Sequence, residues 1–158
     1  ILNIKKRPKE KLFVIQVYDL YSVNKLCEID NNKYDKLIRT FWPGPVTFIF
    51  KAKDYLKKYY RWQYDTAAVR IPDNKITLEI LRKTNIPLIV TSANISGQKI
   101  VPNIEEIIKI FENSVDFTVR DNIDYGERVS TIVDLTGDEP KLIRQGVISF
   151  EEIKTRAQ

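Results

Sequence analysis

The sequence contains no histidine and only one cysteine, Cys27. Without an imidazole, a Ser-His-Asp triad, a Cys-His pair and a zinc site built from histidine and cysteine are all excluded. A single cysteine cannot form an internal disulfide, and its apolar neighbour Leu26 predicts a packed, unreactive thiol. Any protein-bound metal would need oxygen ligands, and we assign no such site.

Methionine is also absent, including an initiator, so we expect the chain to be a processed, truncated or incompletely recorded form of a longer protein. The longest apolar runs reach about six residues, far short of the ~20 that span a bilayer. No leader-like segment opens the chain. These features predict a cytoplasmic protein without a membrane partner.

Length and composition predict one globular domain. Of the 158 residues, 43% are hydrophobic and 30% are charged, and no linker or internal repeat suggests a boundary. Lys and Arg number 26 against 21 Asp and Glu. The net charge of +5 therefore favours polyanionic partners such as nucleotides or RNA.

Short apolar runs and helical spacings alternate along the chain and predict an α/β fold. Strands are predicted at residues 12–17, 46–51, 66–72, 88–90, 115–119, 130–135 and 141–144. Helices are predicted at residues 33–40 and 75–84, after residue 103, and at residues 150–156. Hairpin residues between the last two strands predict an antiparallel pair, so the sheet should be mixed.

Several local details of these elements are also predicted. The run at residues 88–90 is typical of a strand buried on both faces. The expected helix caps are Asn31 or Asn32 for the helix at residues 33–40, Asn74 for the helix at residues 75–84, and Asn103 for the helix that follows it. The helix at residues 75–84 should bury Ile76, Ile80 and Leu81. The segment 53–64, crowded with Lys, Arg and aromatic residues, fits an exposed helix or loop beside an RNA surface, or plain amphipathic packing.

The segment 87–97, PLIVTSANISG, begins as an apolar strand. The seven residues that follow the strand supply three hydroxyl groups, one amide and a glycine. In open α/β sheets ligands bind at such strand ends, because backbone N–H groups and small polar side chains converge there on an anion. A polar connection ending in a turn glycine explains the segment equally well.

Cationic side chains mark two further candidate sites. Residues 5–11, KKRPKEK, hold five cations in seven positions, which suits either a solvated face or a phosphate site. Arg70 lies near the end of the apolar run TAAVRIP and needs an anionic ligand, an internal salt bridge or a route to solvent. The segment 41–47, FWPGPVT, is best interpreted as a rigid corner between a helix and a strand.

The chain contains six motifs whose order and spacing resemble those of the YrdC-like family of threonylcarbamoyl-AMP synthases. The resemblance covers residues 5–148, and the motifs are KKRP, FWPGPVT, TAAVRIP, PLIVTSANISG, STIVD and LIRQGVI. The resemblance implies a twisted mixed parallel/antiparallel sheet with flanking helices around a large basic cavity. It also implies that threonine, bicarbonate and ATP, with Mg²⁺, give threonylcarbamoyl-AMP and pyrophosphate. A downstream threonylcarbamoyl-transferase complex would then modify an adenosine of tRNA.

The resemblance assigns nine side chains to ligands. Those implied for ATP are Lys5, Arg7, Lys11, Thr66, Asn94 and Arg144. Those implied for threonine are Arg70, Ser92 and Ser130. None is an obvious general base, so no catalytic acid or base is assigned, and positioning with charge neutralisation would carry the catalysis.

The chain departs from the family pattern at two places. Relatives usually carry a strand and a PTDTVYGL-like segment ahead of the basic motif, and neither is present here. Gln16 and Asp73 also stand where histidine is common in the family. Two other functions stay open: a non-catalytic module that binds tRNA or double-stranded RNA, and a carbamoyl-transfer domain like that of hydrogenase maturation proteins. The short chain and the lack of zinc-finger cysteines count against the second.

Overall fold

The computed structural model describes residue 4 and residues 13–98, 103–120 and 129–157. Lys5, Arg7 and Lys11 lie outside these residues. Two compact units divide the chain. Of the described residues, 13–90 and 129–157 form what we call the sheet unit, and 91–98 and 103–120 belong to a smaller unit. A single domain stays a prediction.

The sheet unit is built on one mixed sheet. Its strands are β1 Val14–Gln16, β2 Cys27–Glu28, β3 Val46–Ala52, β4 Thr66–Arg70, β5 Leu88–Val90, β6 Thr131–Asp134 and β7 Lys141–Arg144. The order is β5-β1-β4-β3-β6-β7, and β2 pairs with β3 off this path. Pairs β1–β4 and β3–β6 are parallel, and the other pairs are antiparallel. The predicted mixed sheet and its final antiparallel pair are confirmed.

Six helices lie within the described residues. They are α1 Leu20–Leu26, α2 Asn31–Phe41, α3 Asp54–Tyr60, α4 Lys75–Thr84, α5 Ile104–Phe111 in the smaller unit, and α6 Phe150–Ala157. Asn74 caps α4 by accepting from Thr77 N at 2.8 Å, and Asn103 caps α5 by accepting from Glu105 N at 2.8 Å. None of the helices in the described part is long and apolar enough to cross a membrane.

The two faces of the sheet differ in chemistry. Strand periodicity puts the large, fully buried side chains on one face, and α2 ends beside them. There the ring of Trp42 lies 5.2 Å from that of Phe48 and 6.1 Å from that of Phe50, between centroids. Burial of each such ring stabilises the fold by roughly 1.5–3 kcal/mol. The opposite face carries polar side chains, which are Gln16, Thr47, Thr66, Arg70 and Arg144. The candidate site is built on this polar face.

Two strand predictions are wrong. The strand β5 is not buried on both faces, since Ile89 is 47% exposed, and among the described residues it is an edge strand that pairs only with β1. Residues 115–119 form no strand, and Phe117 is 90% exposed. An apolar run specifies a central strand only when the topology supplies neighbours on both sides, and the local pattern does not carry that information.

Helix details were predicted unevenly. Leu81 is buried in α4, but Ile76 and Ile80 are more than one third exposed. The cap of α2 is Asp30, whose Oδ1 accepts from Lys33 N at 3.2 Å, because the helix begins at Asn31 instead of after it. The prediction for Cys27 is confirmed: the thiol is buried, and burial raises its pKa to about 12.

Candidate functional site

Arg70 ends β4, and the corner at residues 41–47 fixes its guanidinium group. Arg70 Nε donates to the Gly44 carbonyl oxygen at 2.8 Å, and Gly44 N donates back to the Ile71 carbonyl oxygen at 3.0 Å. The peptide bond between Trp42 and Pro43 is cis. The corner is structural, as predicted, and it also orients Arg70. With Nε occupied, the remaining donors of Arg70 are its two terminal nitrogens, which meet no acceptor in the described part of the chain.

Arg144 ends β7 and is held differently. Its Nε and Nη2 donate to the Ser130 carbonyl oxygen at 3.2 and 2.7 Å, and Nη2 also donates to Ser130 Oγ at 3.1 Å. One side of the guanidinium group is therefore hydrogen-bonded to Ser130, which directly precedes β6. Its Nη1 meets no acceptor among the described residues and can donate to a further one.

Thr47 holds Ser130 from the other side. Thr47 Oγ1 donates to Ser130 Oγ at 2.9 Å, and Thr47 is fully buried. Sequence reasoning missed Thr47. A signal for it exists, because a hydroxyl inside the apolar strand VTFIF must find a hydrogen-bond partner when it is buried.

The backbone after β7 is hydrogen-bonded to Thr131, the residue next to Ser130. Thr131 Oγ1 accepts from Gly146 N at 3.1 Å and from Ile148 N at 3.3 Å. A Cβ added at Gly146 would overlap the backbone of Ser130 and Thr131, so only glycine permits this close approach. The loop after Arg144 is thereby fixed against the start of β6.

Register places these groups in one row across the sheet. From one strand to the next, the row runs from Gln16 to Arg70, Thr47, Ile132 and Arg144. The pairing of β3 with β4, continued by one residue, puts Thr47 opposite Arg70. The backbones of Arg70 and Arg144 are three strand spacings apart, or roughly 14 Å. Two long cationic side chains thus lie on one face of the sheet, separated by Thr47 and Ile132, at a distance that one ligand could span.

The electrostatics of the row favour an anion. Burial lowers the pKa of Arg70, the charge of Asp73 opposes that shift, and the charge of Arg144 adds to it. Burial also lowers the pKa of Arg144. Both stay protonated, because arginine does not lose its proton in proteins. Within the described residues no carboxylate lies at ion-pair distance from Arg70, so the predicted alternative of an internal salt bridge finds no partner there.

The donor geometry separates the two arginines chemically. Arg70 can present two parallel donors end-on, which matches the two oxygens of a planar carboxylate. Arg144 offers its remaining nitrogen to one oxygen, which suits a phosphate or a single carbonyl. The structure therefore brings together Arg70, Ser130 and Arg144 of the predicted residues, and their assignment to threonine and ATP stays a prediction.

Thr66 shares the face of Arg70 but begins the same strand. Four residues of strand separate the two backbones by roughly 13 Å. Its predicted contact with ATP stays a prediction. The ATP role of Lys5, Arg7 and Lys11 concerns residues outside the described part.

The predicted ligand residues of the smaller unit lie in a turn, described here by itself. Ser92 Oγ donates to Asn94 Oδ1 at 2.5 Å, and Asn94 Nδ2 donates to the Gln98 carbonyl oxygen at 2.6 Å. Gly97 has a positive φ of 85°, as the interpretation of a turn glycine requires. The side chains of Ser92 and Asn94 therefore order the loop, and their ligand roles stay predictions.

No group of three or more acidic, cysteine or histidine side chains in the described ranges could hold a metal ion. Phosphate oxygens and water are the usual ligands of Mg²⁺ that accompanies ATP, so we treat this ion as part of the nucleotide substrate.

Comparison with known proteins agrees with this fold. The family model Sua5/YciO/YrdC, described as telomere recombination, matches residues 1–146. The chain belongs to this family. The threonylcarbamoyl-AMP synthase of Pyrococcus abyssi is 29% identical over 158 residues, which are 98% of this chain and 45% of that protein. A relative from Methanocaldococcus jannaschii is 34% identical over 157 residues, which are 97% of this chain and 71% of the relative.

A solved structure extends the likeness to three dimensions. The crystal structure of P. abyssi Sua5 complexed with L-threonine matches with a TM-score of 0.88 at 26% identity, over 98% of this chain and 46% of that one. The predicted family and the predicted sheet with flanking helices are confirmed. The basic cavity stays a prediction. The chain spans less than half the length of the P. abyssi relative.

Proposed function

We propose that this chain is an L-threonylcarbamoyladenylate synthase, which makes threonylcarbamoyl-AMP and pyrophosphate from threonine, bicarbonate and ATP. The observation that carries the proposal is the pair of terminal nitrogens on Arg70, which meet no acceptor in the described residues and lie on the same face of the sheet as Arg144, whose partner is Ser130. The names of the relatives support the same reaction, and the P. abyssi neighbour was crystallised with L-threonine.

The proposed chemistry needs binding groups more than proton transfer. Arg70 would hold the threonine carboxylate end-on, and Ser130 would donate a hydrogen bond to the substrate beside it. The amine of threonine and bicarbonate form a carbamate with loss of water, and a carbamate oxygen then attacks the α-phosphate of ATP as the bond to pyrophosphate breaks. Arg144 would neutralise charge on the nucleotide through its Nη1, with Mg²⁺ bound to the phosphates. Orientation and charge neutralisation of this kind are sufficient sources of catalysis.

The product would serve a later reaction. A mixed anhydride of a carbamate and AMP is an activated acyl donor, so a downstream threonylcarbamoyl-transferase complex would pass the group to an adenosine of tRNA. A cytoplasmic location would give access to ATP and tRNA.

Pyrophosphate release tests the proposal. The purified chain is incubated with ATP, bicarbonate and either threonine, serine or valine, and pyrophosphate is followed while the nucleotide product is weighed by mass spectrometry. We expect release that requires both threonine and bicarbonate, with serine and valine poorer because each lacks one substituent of the threonine side chain. Release that ignores threonine, or no binding of threonine in calorimetry, would overturn the proposal.

A second candidate function is binding of tRNA or double-stranded RNA without catalysis. It is favoured by an exposed surface on α1 and α3 where tyrosines and lysines alternate. Its exposed rings are Tyr21, Tyr55, Tyr59 and Tyr60, with Lys25 over the ring of Tyr21 and Lys58 over that of Tyr59. Phosphate contacts of so few cations should weaken steeply with salt. Tight tRNA binding that survives high salt and is not competed by ATP would favour this function over the enzyme.

A further inference from the structure

We propose that Thr47 is a positioning residue of the candidate site, which sets the direction in which Ser130 donates its hydroxyl hydrogen to the substrate. The inference rests on the proposed function, because it takes threonine as the substrate that meets Ser130. The inference adds to the candidate site a residue that is not expected to touch the substrate itself.

The first step is the hydrogen bonding of Ser130. A serine hydroxyl has two acceptor lone pairs and one hydrogen to donate. Arg144 Nη2 can only donate, so at 3.1 Å it uses one lone pair of Ser130 Oγ, and donation from Thr47 Oγ1 at 2.9 Å uses the other. With Thr47 as the donor, the hydrogen of Ser130 points in the one remaining direction. The structure describes no protein acceptor for it, which leaves it for a ligand.

The second step is the position of Thr47. It lies on β3, which is paired on both sides by β4 and β6, so its backbone is fixed. The residue is 0% exposed and cannot touch a ligand itself. Valine would fill nearly the same volume and is a better strand former than threonine in an apolar strand. What the hydroxyl adds at this position is its bond to Ser130.

The third step is that one short segment controls both sides of the site. The Gly44 carbonyl oxygen accepts from Arg70 Nε, and the Pro45 carbonyl oxygen accepts from Thr131 N at 3.1 Å. Thr47, two residues further on, then holds Ser130. The corner at residues 41–47 therefore fixes Arg70 and Ser130 relative to each other through three separate hydrogen bonds.

The test compares Thr47→Val, which removes the hydroxyl, with Thr47→Ser, which keeps it. Threonine Kd is measured by calorimetry, and KM values for threonine and ATP are measured by pyrophosphate release. We expect Thr47→Val to raise the Kd and KM for threonine about three- to tenfold, the effect of one lost hydrogen bond. The KM for ATP should change less than about twofold, and Thr47→Ser should restore threonine affinity, because its hydroxyl makes the same bond.

A double-mutant cycle with Ser130→Ala separates positioning from general destabilisation. If Thr47 acts through Ser130, Thr47→Val adds nothing to the loss already caused by Ser130→Ala. Additive losses would overturn the inference, as would an unchanged threonine Kd in Thr47→Val. Should Thr47→Val fail to fold, Thr47→Cys replaces it in the cycle, because a thiol fills the site but donates weakly.

The two proposals fail differently. A wild-type chain that binds no threonine overturns the proposed function and this inference with it. A wild-type chain that binds threonine while Thr47→Val binds it equally well overturns the inference alone.

Discussion

Replacing Arg70 by lysine keeps the positive charge and removes the donor fork. In the structure, Nε of Arg70 donates to the Gly44 carbonyl oxygen, and the two terminal nitrogens meet no acceptor among the residues that the structure describes. A lysine has a single nitrogen at the end of a flexible stem. It can donate to the Gly44 oxygen or to a substrate carboxylate, but it cannot reproduce two parallel bonds to the carboxylate while the corner is satisfied.

The magnitude follows from the bonds lost. Each hydrogen bond between charged groups contributes about 1.5–3 kcal/mol, so losing one of two should raise the KM for threonine by roughly 10- to 150-fold. The KM for ATP should change far less, because Arg144 and the nucleotide contacts are untouched. Apo stability should change by less than about 1 kcal/mol, since Arg70 has one neutral acceptor and no carboxylate at ion-pair distance in the described residues.

Steady-state kinetics and thermal unfolding of Arg70→Lys check these expectations together. The matched control is Arg82→Lys on α4, where an exposed arginine pairs with Glu79 at 2.9 Å. That variant should leave both KM values unchanged. A strongly destabilised Arg70→Lys with normal threonine KM would refute the reasoning, because it would mean that Arg70 serves the fold and not a ligand.

Two further predictions concern the rest of the candidate site. Changing Lys5 and Arg7 to alanine should weaken ATP binding tenfold or more without lowering the melting temperature, because charge-assisted phosphate contacts are lost; unchanged affinity in calorimetry would remove both residues from the site. Gly146→Ala should cost about 2 kcal/mol or more in urea unfolding, because its Cβ overlaps the Ser130 backbone, and it should weaken threonine binding as well; a variant as stable as the wild type would show that the loop can move aside.

Most of the fold could be predicted because local signals agree with each other. The strand at Lys141–Arg144 was bounded correctly, and Asn74 and Asn103 cap the helices that they were predicted to cap. Hairpin chemistry, cap residues and helical spacing all act within a few residues of chain. These local signals can therefore be recognised in the sequence without knowledge of the fold.

What could not be predicted depends on partners distant in sequence. The run at residues 88–90 predicted a strand buried on both faces, but Ile89 is 47% exposed on what is an edge strand of the described sheet, and strand order depends on pairing between residues distant in sequence. The bond from Thr47 to Ser130 joins residues 83 positions apart. The need of a buried hydroxyl for a partner is visible in the sequence, whereas the identity of the partner is not.

Asp73 is the nearby carboxylate that acts on the charge of Arg70 without forming an ion pair with it. A carboxylate in contact with the guanidinium would stabilise the charge but would occupy the donors that a ligand needs, so a substrate would first have to displace it. Asp73 favours the charged form of Arg70 electrostatically, yet it forms no ion pair with it in the described structure. Burial and Arg144 act in the opposite direction, leaving a desolvated cation whose electrostatic energy improves when an anion arrives. An anion that binds such a desolvated cation gains more than one that binds an exposed cation, which is the physical basis for our proposal that Arg70 contacts a ligand.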